Sequence, residues 1–261
     1  VTTPAPPYPD AHDLLAGRSV VVTAAAGTGI GFATAKRCLE EGARVVLSDH
    51  HERRLGEAAD RLADELGDRP ATVVCDVTDQ DHVQALVDGA VEAFGGPIDV
   101  MVNNAGLGGT VDLVDMTDEQ WDVVLDVTLN GTFRCTRAAL RHMREQGSGV
   151  VVNNASVLGW RAQAGQSHYA AAKAGVMALT RCAAVEAAEF GVRVNAVAPS
   201  LATHPFLAKV TGEELLEELA AKEAFGRGAE VWEVANVIVF LASAYSSYMT
   251  GEVLSVSSQR A

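Results

Sequence analysis

Seven short runs rich in valine and other apolar residues punctuate this chain, and helical patterns separate them. The runs are Ser19–Thr23, Arg44–Ser48, Thr72–Cys75, Ile98–Val102, Val150–Asn153, Arg193–Val197 and Val253–Val256. They are continuously apolar rather than alternating, as strands covered on both faces must be. Between them, Leu55, Ala59, Leu62 and Leu66 recur at helical spacing, as do Val83, Leu86, Ala90 and Phe94. Gly42, Gly67 and Gly95 stand where helices should stop. Strand–helix alternation with short connections predicts right-handed βαβ units, hence an α/β fold with a doubly wound parallel sheet of about seven strands and helices on both faces.

Such a sheet binds ligands at the carboxyl ends of its strands, and polar residues collect there. The first strand runs into Thr23-Ala24-Ala25-Ala26-Gly27-Thr28-Gly29-Ile30-Gly31, which opens a helix. Glycines in such a turn let the backbone approach a pyrophosphate at the helix N-terminus. Alone, a glycine-rich turn is weak support for a dinucleotide site. Asp49 strengthens it, because it ends the second strand 18 positions after Gly31, where a carboxylate can accept bonds from ribose hydroxyls. Asp76 ends the third strand, and Asn103-Asn104-Ala105-Gly106 the fourth.

Tyr169 and Lys173 are four apart at the start of a long helix and so share a face. An ammonium there favours an ionised phenol; bringing a tyrosine from about 10 to neutrality takes about 4 kcal/mol of such help. A lone pair of this spacing is common on solvated helices. Ser156, 13 residues earlier at the end of the fifth strand, falls on the same sheet edge and makes the trio a candidate for proton chemistry.

Together these motifs resemble the short-chain dehydrogenase/reductase family, in its short single-domain class with a Rossmann-type sheet. The match runs from about residue 17 to 256 and includes the glycine-rich turn, Asp76-Val77, Asn103-Asn104-Ala105-Gly106, Asn130, Ser156, Tyr169/Lys173 and Asn195-Ala196-Val197-Ala198-Pro199. The resemblance implies an oxidoreductase that interconverts a secondary alcohol and a ketone with a nicotinamide cofactor. It casts Tyr169 as proton donor or acceptor, Ser156 as partner of the substrate oxygen, and Lys173 as ribose ligand and depressor of the tyrosine pKa. Asn130 would anchor a water behind Lys173. Thr23, Gly27, Thr28, Gly29, Ile30, Gly31, Asp49, Asp76, Val77, Asn104, Ala105, Gly106, Pro199 and Thr203 would hold the cofactor. The chain departs from the family pattern in four places. Ala24 replaces the first glycine of the turn, with one residue inserted before Gly29. Ser200 follows Pro199 where glycine is usual, and Thr203 lies one position closer to Pro199 than the usual threonine. Val231 stands where proline is common, and the last strand ends Val256-Ser257-Ser258 rather than in Asp-Gly-Gly.

The carboxylate of Asp49, with no Lys or Arg inside the turn, favours NAD; NADP is the alternative, with Arg53 or Arg54 as its phosphate ligand. Leu158, Trp160, Leu201 and Phe206, with Leu207 and Phe225, lie in the two segments that flank the substrate in the family, so the resemblance implies a pocket for a bulky hydrophobic substrate. An alicyclic or steroid-like ketone or a 3-oxoacyl or CoA thioester would suit it, placing the protein in lipid or steroid metabolism. A segment from about 200 to 228 would cover that pocket.

Other features read more plainly. His168 is expected as a polar helix-start residue, and Arg134, Arg137, Arg141 and Arg144 as a stripe paired with Asp118, Asp122 and Asp126 or solvated, rather than a dock for acidic ligands. The helix after Tyr169 is apolar or small on nearly every face, which predicts a contact with another subunit, and the resemblance implies a homodimer or homotetramer. A formal charge of −14 over 261 residues argues against nucleic acid and anionic membranes, and no apolar run nears the roughly 20 residues of a membrane span. The first ten residues have neither a basic nor an apolar signal region, so a cytoplasmic protein is expected. Their four prolines suggest a flexible arm over 1–16 before a single dinucleotide-binding catalytic domain over 17–261. Cys38, Cys75, Cys135 and Cys182 are read as buried thiols, and no cluster offers a metal site. The competing reading is a catalytically inactive cofactor-sensing protein on the same fold; the intact set Asn130, Ser156, Tyr169 and Lys173 speaks against it.

Overall fold

The computed structural model describes residues 2–204 and 213–258. In chain order, β1 (Ser19–Val22), α1 (Ile30–Glu40), β2 (Arg44–Asp49), α2 (Glu52–Leu66), β3 (Ala71–Val74), α3 (Gln80–Phe94) and β4 (Val100–Asn103) build the first half. Then come α4 (Asp118–Leu125), α5 (Gly131–Gln146), β5 (Gly149–Asn154), α6 (Ser167–Ala188) and β6 (Val192–Pro199). They are followed by β7 (Ala202–Thr203), α7 (Glu213–Lys222), β8 (Ala229–Glu230), α8 (Val231–Ala242) and β9 (Val253–Val256). The main sheet is parallel throughout, with seven strands in the order β3-β2-β1-β4-β5-β6-β9. The order reverses between β1 and β4, which opens a crevice there at the carboxyl ends of the strands.

The apolar runs are continuous because each strand feeds two cores. Val20 and Val22 pack with Phe32, Leu55, Leu62 and Ile238 on one face. Val21 between them packs with Leu86, Met101, Cys135 and Met143 on the other. α2 and α3 end at Gly67 and Gly95, both left-handed, as the spacing predicts. Asp79 caps α3 by accepting from the backbone N–H groups of Asp81 and His82.

Two expectations are corrected by packing. Cys38, Cys75 and Cys135 are buried, but Cys182 is exposed on α6; its helical position points outward with Ala178 and Val185. The first residues are extended yet docked. Tyr8 donates to Glu40 Oε2 at 2.7 Å and packs edge-on against Trp232, and Thr3 N donates to Phe225 O at 2.8 Å. Leu15, within the expected arm, is 1% exposed in the core. Among the described residues, no helix is long and apolar enough to cross a membrane.

Candidate active site

The turn after β1 is shaped by what cannot be there. A Cβ at Gly31 would sit 2.3 Å from Ala24 O and 2.5 Å from Asn104 Nδ2, so only glycine lets α1 approach the strand ends this closely. Gly27 holds φ +102. Ala24 takes φ +50, a left-handed conformation in a non-glycine residue, where the family pattern has its first glycine. Gly29 is the N-cap of α1 with no side-chain cap, and the first turn holds no acid. Its unclaimed N–H groups therefore suit an anion.

Around the turn the strand ends supply polar groups. Asp49 is 7% exposed, and it accepts from Ala26 N at 3.3 Å and His51 N at 3.0 Å. Burial raises its pKa above the ordinary value, while His50 and the bond from Ala26 hold it down. Thr23 Oγ1 accepts from Asn104 N and Ala105 N, at 2.9 and 3.1 Å. Asp76 accepts from both the N–H and the hydroxyl of Thr78, and these bonds lower its pKa. Val77 packs on Gly131, and Pro199 ends β6 paired with Val256. A pyrophosphate and adenosine ribose thus fit the turn, the helix terminus and Asp49.

The sequence reading missed Arg61. From α2 its guanidinium donates to Gly27 O at 2.6 Å and lies 3.5 Å over the Phe32 ring, bracing the turn from outside. No local pattern signals it, because the contact joins residues 34 apart. Arg53 instead turns to Glu57 at 2.6 Å.

On the other side of β4, Ser156, Tyr169 and Lys173 converge. Ser156 leaves β5 into a short 3-10 turn (Val157–Gly159), and its Oγ accepts from Leu158 N. Tyr169 and Lys173 lie in the first two turns of α6. Ser156 lies near enough to Tyr169 to pull the phenol's pKa down. Lys173 Nζ is 5.5 Å from the Tyr169 ring centre and donates to Asn154 O at 2.5 Å. The loop after β4 lies against all of this: a Cβ at Gly108 would be 3.6 Å from Tyr169 Cδ2, and one at Gly106 would be 3.4 Å from Lys173 Nζ. His168 is 2% exposed and faces Gly109, so it is a buried packing residue rather than a solvated helix start.

Electrostatics here depart from the expectation. Burial raises the Tyr169 phenol to about 12, and Ser156 only partly offsets it. Burial also lowers Lys173 to about 8. The anticipated depression of the phenol is therefore absent, because burial outweighs the groups that would lower it.

Two expected residues lie elsewhere. Asn130 is exposed at the end of a π-helical turn (Asp126–Asn130), and its Nδ2 donates to Asp126 at 3.1 Å. Thr128 holds the inward position instead: it is 0% exposed, and its hydroxyl accepts from Leu107 N at 2.9 Å and donates to Leu107 O at 3.0 Å. The signal was a hydroxyl on the buried stripe Val124, Thr128, Thr132 and Cys135. Thr203 is exposed and donates to Ala229 O at 3.3 Å, away from the turn. The next residue, His204, packs against Gly29. Of the arginine stripe, Arg134 pairs with Asp126 at 2.8 Å and Arg137 donates to Gln80, which is the plainer reading. Leu158 is half-buried and Trp160 is 52% exposed, while Leu201 packs at Gly228. Phe206 and Leu207 fall outside the described residues.

This geometry agrees with the comparisons. The sequence model of a family described as enoyl-(acyl carrier protein) reductase matches residues 24–258. The chain is 66% identical over 249 residues to a (5R,7aS)-5-hydroxy-7a-methyl-1-oxo-2,3,5,6,7,7a-hexahydro-1H-indene-carboxyl-CoA reductase of Mycobacterium tuberculosis, covering 95% of each. The chain belongs to the short-chain dehydrogenase/reductase family. A cis-4-hydroxycyclohexanecarboxylate dehydrogenase of Sinomonas cyclohexanicum is 44% identical over 248 residues, 94% of this chain and 96% of that relative. The crystal structure of a short chain dehydrogenase from Mycobacterium smegmatis superposes with a TM-score of 0.88 at 62% identity, covering 99% of both chains.

As a short-chain dehydrogenase/reductase the protein is an oxidoreductase acting on CH–OH and C=O groups with a nicotinamide cofactor. Nothing supports the inactive alternative. A bound nicotinamide supplies or accepts hydride at the substrate carbon. Three of the chain's own residues are placed where they could handle the proton. A phenol held near 12 stays protonated at neutral pH and can donate to a carbonyl oxygen that also bonds to Ser156. The Lys173 ammonium, with N–H groups to spare beyond Asn154, can hold ribose hydroxyls and stabilise the phenolate that donation leaves.

Proposed function

We propose that this enzyme interconverts a secondary alcohol and a ketone on an alicyclic ring carried as a CoA thioester or related acid, using NAD, within lipid or steroid metabolism. The observation that carries the reading is an apolar entrance beside the proton-transfer pair. Leu107, on the loop facing Lys173, is 39% exposed, and Trp160, four residues after Ser156, is 52% exposed. Large apolar side chains left in water at a site mouth suit a bulky hydrophobic substrate. Two relatives named above act on ring compounds bearing a carboxylate or carboxyl-CoA, which supports the class.

NAD is favoured over NADP because Asp49 stands at the end of β2 while Arg53 is turned to Glu57 and Arg61 to Gly27. Ser156, Tyr169 and Lys173 are proposed as the catalytic residues, with Thr128 in the position first given to Asn130. A homodimer or homotetramer is supported by the outward row Ala171, Ala178, Cys182 and Val185 on α6, and by exposed Val123 and Phe133 nearby in sequence.

The test is a spectrophotometric assay of NADH and NADPH against cyclohexanone-type ketones, as free acids and as CoA thioesters, with acetone as the small control. kcat/KM should rise steeply from acetone to the ring thioester. A flat response would sink the substrate class while leaving the reaction class intact.

A further inference from the structure

The end of the last strand is one of the places where this chain departs from its family, and the side chain it gains there is engaged. Ser258 stands where the family pattern ends in glycine. Its hydroxyl donates to Glu223 Oε2 at 2.9 Å, and its carbonyl accepts from Ala224 N at 2.9 Å. Glu223 follows α7 and is 4% exposed. Its other carboxylate oxygen has no hydrogen-bond partner among the described residues. One hydroxyl therefore serves a buried carboxylate whose desolvation is costly without a donor.

The same elbow, 223–228, is held from the other end of the chain. Thr3 N donates to Phe225 O at 2.8 Å, and Thr3 O accepts from Arg227 Nε at 3.1 Å. Arg227 is itself fixed by Glu233 in the first turn of α8, at 2.6 Å. Behind Thr3 the arm is anchored at the end of α1, where Tyr8 donates to Glu40 and the N–H groups of His12 and Leu14 donate to Glu41. Beyond the elbow, Ala229 N donates to Leu201 O at 2.7 Å. A Cβ at Gly228 would sit 2.7 Å from Thr203 Cγ2 and 3.0 Å from Leu201 O. Leu201 lies two residues after Pro199, which ends β6 at the carboxyl edge of the sheet. A cavity of about 150 Å³ opens between the elbow, Ser200 and Val256, so hydrogen bonds rather than close packing hold the elbow against the sheet end.

We propose that Ser258 and Thr3 are positioning residues, which pin this elbow from the two ends of the chain and so fix Leu201 in the wall of the substrate pocket. This rests on reading Leu201 as a pocket residue. Both residues act through the elbow and the β7–β8 pairing, not on Tyr169 or Lys173. Loosening either pin therefore weakens the hold on the substrate in its ground state and its transition state alike, which raises KM and spares kcat.

The experiment is steady-state kinetics of the full chain with saturating NADH and the ring ketone of highest kcat/KM, beside thermal melts and amide exchange. Ser258→Ala leaves Glu223 buried without its donor and should raise KM by about tenfold, with kcat held within about twofold. Ser258→Thr keeps the hydroxyl and should stay near wild type. Ser258→Ala combined with Glu223→Leu removes both partners and should bring KM most of the way back. Thr3→Pro deletes one N–H on an exposed residue, which spares folding, and should raise KM by about threefold. In Ser258→Ala and Thr3→Pro the amide of Ala229 should exchange faster than in wild type. Should Ser258→Ala fail to fold, the double variant and Thr3→Pro decide the matter. An unchanged KM in either pinning variant removes that residue from the role whatever its Tm does, and an unchanged KM in both overturns the proposal. Leu201→Ala separates the two readings. A raised KM there, with none in the pinning variants, would overturn the pinning alone; no change in Leu201→Ala would overturn the pocket reading and the pinning with it.

Discussion

Lys173 Nζ donates to the main-chain oxygen of Asn154 at 2.5 Å, and through that residue the two halves of the site are joined. Asn154 Nδ2 donates to Asn104 Oδ1 at 2.9 Å, and Asn104 Nδ2 reaches Thr23 O and Ala24 O at 3.2 Å each. The Lys173 ammonium is thus tied through Asn154 and Asn104 to the turn proposed to receive the cofactor.

The first prediction follows from the cost of burying that ammonium. Lys173 is 3% exposed, and burial brings it from 10.5 to about 8. If the charged form is the one that holds ribose hydroxyls, as proposed, kcat/KM for the cofactor should fall as pH rises above about 8. Stability should move the other way. Between about 8 and 10.5 the unfolded chain binds the extra proton, so this group's penalty is relieved as pH rises through that window. Lys173→Met should lose activity and also erase that pH-dependent gain in Tm. An unchanged Tm profile would mean the ammonium is not desolvated.

Tyr169→Phe removes the transferable proton and keeps the ring that packs on Gly108. Turnover should drop by about 10² to 10⁴, with NADH affinity changed only a few-fold. Near-normal kcat on an identified substrate would remove Tyr169 from the mechanism.

Thr128 and Asn130 make a paired test. Thr128→Val is isosteric but leaves both the N–H and the carbonyl of Leu107 without their partner. That should cost about 1–3 kcal/mol, read by denaturant melts, and loosen the loop beside Lys173. Asn130→Ala loses an exposed bond to Asp126 and should leave kcat within about twofold. The reverse pattern would return the role to Asn130.

What the sequence disclosed and what it hid divide along a physical line. The sheet was legible because continuous apolar runs have one economical arrangement, and the observed strands fall within two residues of the expected runs. Ser156, Tyr169 and Lys173 were legible because each is fixed by a strand end or by helical spacing. Arg61 was not, since its partner Gly27 is met only after α2 folds back. Asn130 was named only by the resemblance, whereas the buried stripe Val124, Thr128, Thr132 and Cys135 puts Thr128 on the inner face and leaves Asn130 exposed. Thr203 was turned to Ala229 by the short β7–β8 pairing, which two-residue strands leave almost no pattern to announce.

Ala24 gives a test of stability that touches no ligand. Its φ of +50 carries a penalty of about 1–2 kcal/mol for an L-residue with a Cβ. Ala24→Gly should therefore stabilise the fold by up to about 1 kcal/mol after the added freedom of the unfolded chain is subtracted. For a chain of this length that is a rise of about 2–4 °C in Tm. A fall in Tm would mean that the methyl group is packed well enough to outweigh the backbone.

Cofactor choice turns on Asp49 against the arginines of α2. The carboxylate ends β2 and can accept bonds from free ribose hydroxyls, whereas a 2′-phosphate would meet it as a like charge. Of the two nearby arginines, Arg53 is 80% exposed at its side chain and engaged with Glu57, which leaves Arg54 as the competing cation. Arg54 already acts on Asp49, helping to hold its pKa down, so its charge is partly spent on the carboxylate. Wild-type enzyme should then prefer NAD(H) by tenfold or more in kcat/KM, equivalent to about 1.4 kcal/mol. Asp49→Ala should narrow that gap from both sides, weakening NAD binding and freeing Arg54 to meet the phosphate of NADP. Asp49→Ala combined with Arg54→Ala should lose the gain for NADP while keeping the loss for NAD. A wild-type preference for NADP(H) would overturn the assignment, and its loss in Arg54→Ala alone would name the phosphate ligand.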